Sequence, residues 1–247
     1  MRIDRHLCTG CGECIPYCPV SAISLVTTSI RSEIDRESCV ECEACLRAGV
    51  CPSGALQREE LPWPRAVRGF FSNPQTTHRS TLIPGRGTEE MKTNDVTGRI
   101  PPGAVGLAVE VGRPLTGATF KDVQEVTAAC ARSGCVFEPE NPLTALMDDT
   151  SRGTFRPDIL EERMLSVLVE MTVPQERLPG LLDSLKNVSL RLPTVFSLGL
   201  CQTVGSGGEM PMLDILEAKG IAVRPNGKIN LGLGRVLSSP PEHEREK

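Results

Sequence analysis

Eight of the eleven cysteines lie in the 44 residues from Cys8 to Cys51, and their spacing restricts what the chain can be. The first run is Cys8-Thr-Gly-Cys11-Gly-Glu-Cys14-Ile-Pro-Tyr-Cys18-Pro19, a C-x2-C-x2-C-x3-C-P pattern. The second is Cys39-Val-Glu-Cys42-Glu-Ala-Cys45, closed by Cys51-Pro52. The two runs form an internal repeat. Ile3-Asp4 returns as Ile34-Asp35, and Cys8, Cys11 and Cys14 return as Cys39, Cys42 and Cys45, each 31 residues later. Ala22-Ile23 returns as Ala55-Leu56 after 33 residues, because five residues separate Cys45 from Cys51 where three separate Cys14 from Cys18.

Three thiolates spaced two residues apart reach three irons of one cube when the loop curls around it. A fourth cysteine followed by proline ligates the other cluster of a two-cluster protein. The rule assigns Cys8, Cys11, Cys14 and Cys51 to one 4Fe-4S cluster, and Cys18, Cys39, Cys42 and Cys45 to a second. The longer segment Leu46–Val50 is expected to make the clusters inequivalent, with the Cys8, Cys11, Cys14 and Cys51 cube the first place to look. Two other readings use the same residues. A disulfide scaffold needs an oxidising compartment, and the polar start Met1-Arg-Ile-Asp-Arg-His is no secretory signal. Zinc sites use paired C-x2-C units or mixed Cys/His sets rather than two triplets each followed by Cys-Pro.

On these motifs residues 1–59 resemble a bacterial dicluster ferredoxin. Short extended pieces are expected around Arg2–Asp4, Ala22–Val26, Arg31–Asp35 and Ala55–Arg58. Gly10, Gly12 and Gly54 permit the close backbone approach that lets amides donate to cluster sulfur. Tyr17 is either an apolar shield on a cluster or a structural residue, and His6 is either a donor to sulfur or a surface residue.

With 247 residues the chain has room for more than one domain. Aromatic residues make up only 3%, so the core must be aliphatic, and the net charge of −4 gives no case for nucleic acid. No run of about 18 apolar residues predicts a membrane helix. Reduced thiols without a targeting signal point to the cytoplasm. Residues 1–59 carry six basic and eight acidic side chains, whereas 60–104 carry six basic and four acidic. Such a basic segment either folds over the anionic clusters and tunes them or is an ordinary solvated loop.

The domains expected are 1–59 for the clusters, 60–104 as an irregular linker packed between domains, 105–237 as an α+β domain, and 238–247 as a disordered tail. The linker is punctuated by Pro62, Pro64, Pro74, Pro84, Pro101 and Pro102. Trp63, Phe70, Phe71, Leu82 and Ile83 are expected to pin it. Its polar stretch Pro84–Arg99, with Gly85, Gly87, Arg86, Lys92 and Arg99, is read either as an anion site or as an ordered interdomain loop. Beyond it, strands are expected at Val105–Val111, Cys135–Phe137, Leu165–Val173, Thr194–Cys201 and Ile229–Leu233, the last after an Asn226-Gly227 turn. Helices are expected at Thr119–Ser133, Pro174–Val188 and Met212–Lys219. The alternation suggests an α+β sandwich of ferredoxin-like plait type.

Cys130, Cys135 and Cys201 are read as small core hydrophobes, and His6, His78 and His243 form no cluster in sequence. Gly205-Ser-Gly-Gly208 lacks a complete dinucleotide fingerprint, so a flavin stays open without a motif to hold it. Glu138, Glu140, Asp148 and Asp149 are acid–base candidates whose ordinary alternative is solvated loop positions. Beyond residue 59, Phe71–Pro74, Pro84–Arg99, Glu138–Met147 and Pro225–Gly234 resemble proteins named 6-hydroxynicotinate reductases. That resemblance implies ferredoxin-linked, two-electron reduction of a hydroxylated pyridine ring in anaerobic nicotinate breakdown, and places no catalytic residue. Three functions therefore stand: an electron carrier serving a reductase or ferredoxin partner, a reductase in its own right, and a redox-responsive regulatory protein. Whether copies associate stays open.

Overall fold

The computed structural model describes residues 1–86, 97–113 and 116–223. The expected strand Ile229–Leu233, the Asn226-Gly227 turn, residues 238–247, His243, and Gly87 and Lys92 of the polar stretch lie outside the described residues.

The cysteine-rich segment contains β1 (Arg2–Ile3), β2 (Ile23–Val26), β3 (Arg31–Ile34), the single-turn α1 (Ala44–Arg47) and β4 (Leu56–Gln57). Strand β1 pairs antiparallel with β4, Ile3 opposite Leu56, and β2 with β3, Ile23 opposite Ile34. Met1, Cys14, Ile23, Cys45 and Leu56 are buried together in a core of their own. Short ribbons are marginal alone, so a core this thin needs the cysteines' own chemistry to hold it.

The expected irregular linker is corrected by α2 (Ala66–Ser72), which buries Val67 and Phe71 in the larger core. Seven residues without a side-chain cap, with Arg68 and Gly69 buried among them, give no clean apolar stripe for periodicity to detect. The pinning residues also differ from expectation. Phe71 is buried edge-on to Phe120, whereas Leu82 is 78% exposed and Ile83 and Trp63 are half exposed. Trp63 is held from outside: its Nε1 donates to Asp158 at 2.5 Å, and the Arg156 guanidinium lies 4.9 Å from its ring centre.

The remainder follows the expected alternation. It comprises β5 (Ala104–Val111), β6 (Ala118–Thr119), α3 (Phe120–Arg132), β7 (Val136–Phe137), β8 (Met147–Asp149), β9 (Thr154–Phe155) and β10 (Arg163–Met164). Then come β11 (Val167–Pro174), α4 (Leu178–Ser189), β12 (Phe196–Cys201) and α5 (Pro211–Ala218). Strands β12, β5, β11 and β7 form one antiparallel sheet in that order. Period-two alternation places Val105, Leu107, Val109 and Val111 on one face, directly opposite Val173, Met171, Val169 and Val167, and all eight are buried. Helix α3 begins at a capping box in which Thr119 and Asp122 exchange hydrogen bonds at 2.8 and 3.1 Å. It ends where Gly134 turns left-handed at φ +81°. Its buried Phe120, Val123 and Val126 join Leu178, Leu181, Leu182 and Leu185 of α4 in the sheet's core. The pairings β6–β10 and β8–β9 were not foreseen; two or three residues each are too short to show a period.

Among the described residues no helix is long and apolar enough to cross a membrane.

Candidate metal centre

The strand pairing brings distant cysteines together. Each cysteine triplet follows a strand whose partner lies just after the Cys-Pro of the other half. The Asp4 amide donates to the Ala55 carbonyl at 2.8 Å, and its repeat mate, the Asp35 amide, to Ala22 at 2.8 Å. The Cys8 amide then donates to Asp4 and the Cys39 amide to Asp35, at 2.9 and 3.0 Å, so both triplets start from the same turn. Cys51 is thereby carried to the first triplet and Cys18 to the second. One cavity is lined by Cys8, Cys11, Cys14 and Cys51, beneath Ile3 and Leu56. Another is lined by Cys18, Cys39, Cys42 and Cys45, beneath Met1, Ile23 and Ile34.

None of the eleven cysteines is in a disulfide. Among the described residues no three His, Cys, Asp or Glu side chains converge as they would on one ion. The four thiols of each set line one shared cavity. Backbone amides already aim at the sulfurs: Ala22 at Cys18 (3.1 Å), Ala55 at Cys51 (3.2 Å) and Ser32 at Cys8 (3.4 Å). Ala22 and Ala55 are repeat mates, so the same donor serves the corresponding cysteine of each half. Burial pushes the thiols of Cys14, Cys39 and Cys42 up and that of Cys45 to about 12. Burial raises Cys51 too, but hydrogen bonds from Leu56, Ser53 and Ala55 outweigh it and hold that thiol down. A thiol in such a pocket becomes a thiolate when a metal supplies the compensating charge. These donors and amides fit 4Fe-4S clusters.

The loop shape demands left-handed backbone at two positions in each half. In the first half these are Gly10 (φ +73°) and Gly12 (φ +75°); a Cβ on Gly10 would strike the Ile30 carbonyl. Their repeat mates are Glu41 and Glu43, both at φ +56°, where a side chain is strained. The two extra residues before Cys51 are absorbed in the turn. Ile15–Tyr17 is a 3-10 turn, whereas its counterpart closes as α1, with the Ala48 amide reaching Ala44 at 3.0 Å.

The halves also differ in what covers them. Helix α2 lies over the loop leading into Cys39. Arg68, 3% exposed, donates to the carbonyls of Arg36 (3.1 Å), Glu37 (2.8 Å) and Cys39 (2.9 Å) and pairs with Glu162. Arg65 donates to the Arg36 carbonyl (2.8 Å) and to buried Glu41 (2.6 Å). Arg47 bridges the Cys42 carbonyl and Asn73 Oδ1, at 2.5 and 3.0 Å. Within the basic segment, Arg65 and Arg68 reach the loop that leads into Cys39. That loop opens the second triplet, while Cys11 in the first is exposed.

The other candidates do not assemble. His6 is exposed and Tyr17 is 47% exposed, lining neither cysteine cavity. His78 is buried between Phe70 and Phe71, ring centres 5.6 and 4.9 Å away, and burial lowers its pKa. Cys130 and Cys135 are buried in contact at the end of α3, and Cys201 is half buried in β12. Arg86 pairs with Glu110, and Arg99 with Glu138 and Glu140, so both cations already have carboxylate partners. Asp148 and Asp149 bind Thr154 and Ser151 within the β8–β9 hairpin. Gly205–Gly208 forms a turn closed by the Gly208 amide on the Gly205 carbonyl at 2.9 Å.

Residues 7–56 match the family model described as a 4Fe-4S dicluster domain. The ferredoxin-like protein in the vnf region of Azotobacter chroococcum mcd 1 is 44% identical over 57 residues, 21% of this chain and 82% of that protein. Ferredoxin-1 of Rhodobacter capsulatus is 44% identical over 43 residues, 17% of this chain and 63% of that protein. One subunit of the H(2):CoB-CoM heterodisulfide,ferredoxin reductase of Methanothermobacter marburgensis is 30% identical over 76 residues. Those residues are 24% of this chain, which spans only 11% of that much longer protein. No solved structure matches the chain.

Proposed function

The chain belongs, through residues 7–56, to the 4Fe-4S dicluster ferredoxin family, and from that premise we propose that it relays single electrons through two 4Fe-4S clusters to a redox partner. Cys8, Cys11, Cys14 and Cys51 hold one cluster, and Cys18, Cys39, Cys42 and Cys45 the other. The observation that carries this reading is the pair of cavities, each lined by three cysteines of one repeat and the Cys-Pro cysteine of the other. When bound, each cluster accepts and donates one electron at a time. The chain's own part is to hold the cubes between apolar walls and to present the Ala22, Ala55 and Ser32 amides to ligand sulfur, which favours the reduced, more negative state.

In this proposal residues 1–59 are the electron-transfer unit, 60–104 pack it against the rest, and 105–237 dock the partner. The sheet order β12-β5-β11-β7, with α3 between β5 and β7 and α4 between β11 and β12, supports a ferredoxin-like plait for that docking domain. Free thiols throughout support a reducing, cytoplasmic setting. The similarity to part of a reductase complex supports a reductase as the partner. The phrases resembling 6-hydroxynicotinate reductases suggest anaerobic breakdown of nicotinate or another N-heteroaromatic as its setting.

A second reading, that the chain itself reduces a hydroxylated pyridine ring, is favoured by one feature. A cavity of about 480 Å³ lies beside α2, between Phe70–Pro74 and Gly85–Arg86 on one side and Arg113, Leu165 and Ser166 on the other. Its size suits a small molecule. Ring reduction needs two electrons, a task clusters leave to an organic cofactor, so this reading requires a flavin or similar group as well.

Anaerobic purification tests the first reading. The expected result is about eight irons and eight sulfides per chain, both clusters reducible, with no bound organic cofactor and with turnover only in the presence of a copurifying protein. Saturation near four irons would sink the two-cluster assignment. A bound flavin with turnover by the isolated chain would replace the carrier with the enzyme.

A further inference from the structure

We propose that Arg68 is a positioning residue that sets the reduction potential of the cluster held by Cys18, Cys39, Cys42 and Cys45, and that Glu162 opposes it. The inference rests on the ligand assignment above and goes beyond it by making the two clusters electrically different for a reason outside the cysteine repeat.

Arg68 is built for the loop that enters this site. One guanidinium nitrogen meets three outward carbonyls, of Arg36, Glu37 and Cys39, and the last belongs to a ligand. The planar guanidinium reaches the carbonyls through Nη1, whose two hydrogens are shared among the three, while its Nε pairs with the Glu162 carboxylate. Its side chain is 4% exposed, so water screens the charge poorly. The cation therefore lies on the Cys39 side and Glu162 on the far side, beside the sheet domain. Glu37 approaches Arg68 to 3.9 Å but is 89% exposed, and solvent discounts it. Buried Glu41 is shared between Arg65 and the buried Met1 ammonium; these charges also act near Cys39, but they stay the same when Arg68 or Glu162 is changed and so form a constant background. Among the described residues no guanidinium donates to a carbonyl between Asp4 and Cys14, so the other cluster lacks this device.

Reduction adds one negative charge to a cluster. A fixed cation beside it stabilises the reduced state and raises the potential, and a carboxylate beyond that cation weakens the effect. The same contact joins the cluster loop to Glu162, just ahead of β10, and Ser72 at the end of α2 accepts from the Leu165 amide at 3.0 Å.

The test is a cluster-resolved redox titration, followed by electron paramagnetic resonance, of anaerobically purified full-length protein. The variants are Arg68→Met, Arg68→Lys and Glu162→Gln, with iron content measured for each. Arg68→Met shifts one cluster to a more negative potential, Glu162→Gln shifts the same cluster to a less negative one, and Arg68→Lys stays nearer the parent than Arg68→Met. The second cluster is the internal control and does not move. A clamp that acts only by shape would shift Arg68→Met and Glu162→Gln in the same direction or not at all, and either result overturns the proposal, as does an equal shift of both clusters. Should Arg68→Met lose its cluster, the sign of the Glu162→Gln shift decides alone. Parent protein that saturates near four irons refutes the cluster assignment, a failure distinct from that of Arg68.

Discussion

The crosswise cavities make a pairing prediction that a simple division by motif would not. Cys18 sits in the first cysteine run, four residues after Cys14, yet it lines the cavity of Cys39, Cys42 and Cys45. Replacing Cys18 or Cys45 by Ala should remove the same cluster, and each single variant should fall from about eight irons to about four. Because both changes strike one site, Cys18→Ala/Cys45→Ala should also keep about four, while Cys18→Ala/Cys14→Ala strikes both sites and should keep almost none. The contrast is a whole cluster, far larger than the scatter of an iron assay. The measurement is iron and acid-labile sulfide per chain after anaerobic purification, with the mass of the intact holoprotein as a second readout. If Cys18→Ala/Cys45→Ala were empty and Cys18→Ala/Cys14→Ala kept one cluster, the strand pairing of Ile3 with Leu56 and Ile34 with Ile23 would not govern ligation, and the reasoning would fail. If every single variant lost both clusters, the sites would be too interdependent to count as two.

Two further outcomes follow from local geometry. Gly10→Ala forces a side chain into left-handed backbone at a cost of about 1–2 kcal/mol and drives it against the Ile30 carbonyl; the Cys8, Cys11, Cys14 and Cys51 cluster should be lost selectively, and a fully loaded Gly10→Ala protein would refute the close approach. Trp63, the sole tryptophan, reports on Asp158, whose carboxyl is held below its usual 3.8 first by Arg156 and then by the indole N–H. A depressed carboxyl stabilises the fold above its unfolded value and loses that contribution as pH falls through the folded value, so Trp63 fluorescence should hold steady down to about pH 4 and change below it; the same step persisting in Asp158→Asn would assign it elsewhere.

The cysteine repeat and the larger elements were legible because each is written in local spacing. The 31-residue repeat exposes the triplets, period-two alternation exposes β5 and β11, and Val123, Val126 and Cys130 expose α3. The contacts of α2 were not legible. Its Arg68 is buried by carbonyls and a carboxylate distant in sequence, so nothing in its neighbourhood marks it as interior, and ordinary expectation places Arg at the surface. The same limit hid His78, whose burial depends on Phe70 and Phe71 folding back over it. Residues 138–164 were opaque for another reason: β8, β9 and β10 are two or three residues long and are held by turns such as Asp149 to Ser151 rather than by periodic burial.

The divergence of the two repeats gives these contacts a common origin. The first half solves the left-handed positions with Gly10 and Gly12, the residues that suffer least there. The second half keeps the same backbone with Glu41 and Glu43, at a strain of order 1–3 kcal/mol each. Such strain persists only where the surroundings hold the residue in place, and here they do: Glu41 is buried against Arg65, and Glu43 pairs with Arg58 at 2.8 Å. Each carboxylate at a strained position thus attaches the second cysteine loop to the chain that follows it. Arg68 adds a third attachment through the Cys39 carbonyl. The first loop has no such attachments among the described residues and leaves Cys11 open to solvent. The two halves are therefore asymmetric: the first loop is open to solvent at Cys11, and the second is fastened at Glu41, Glu43 and Cys39 to the chain that follows it.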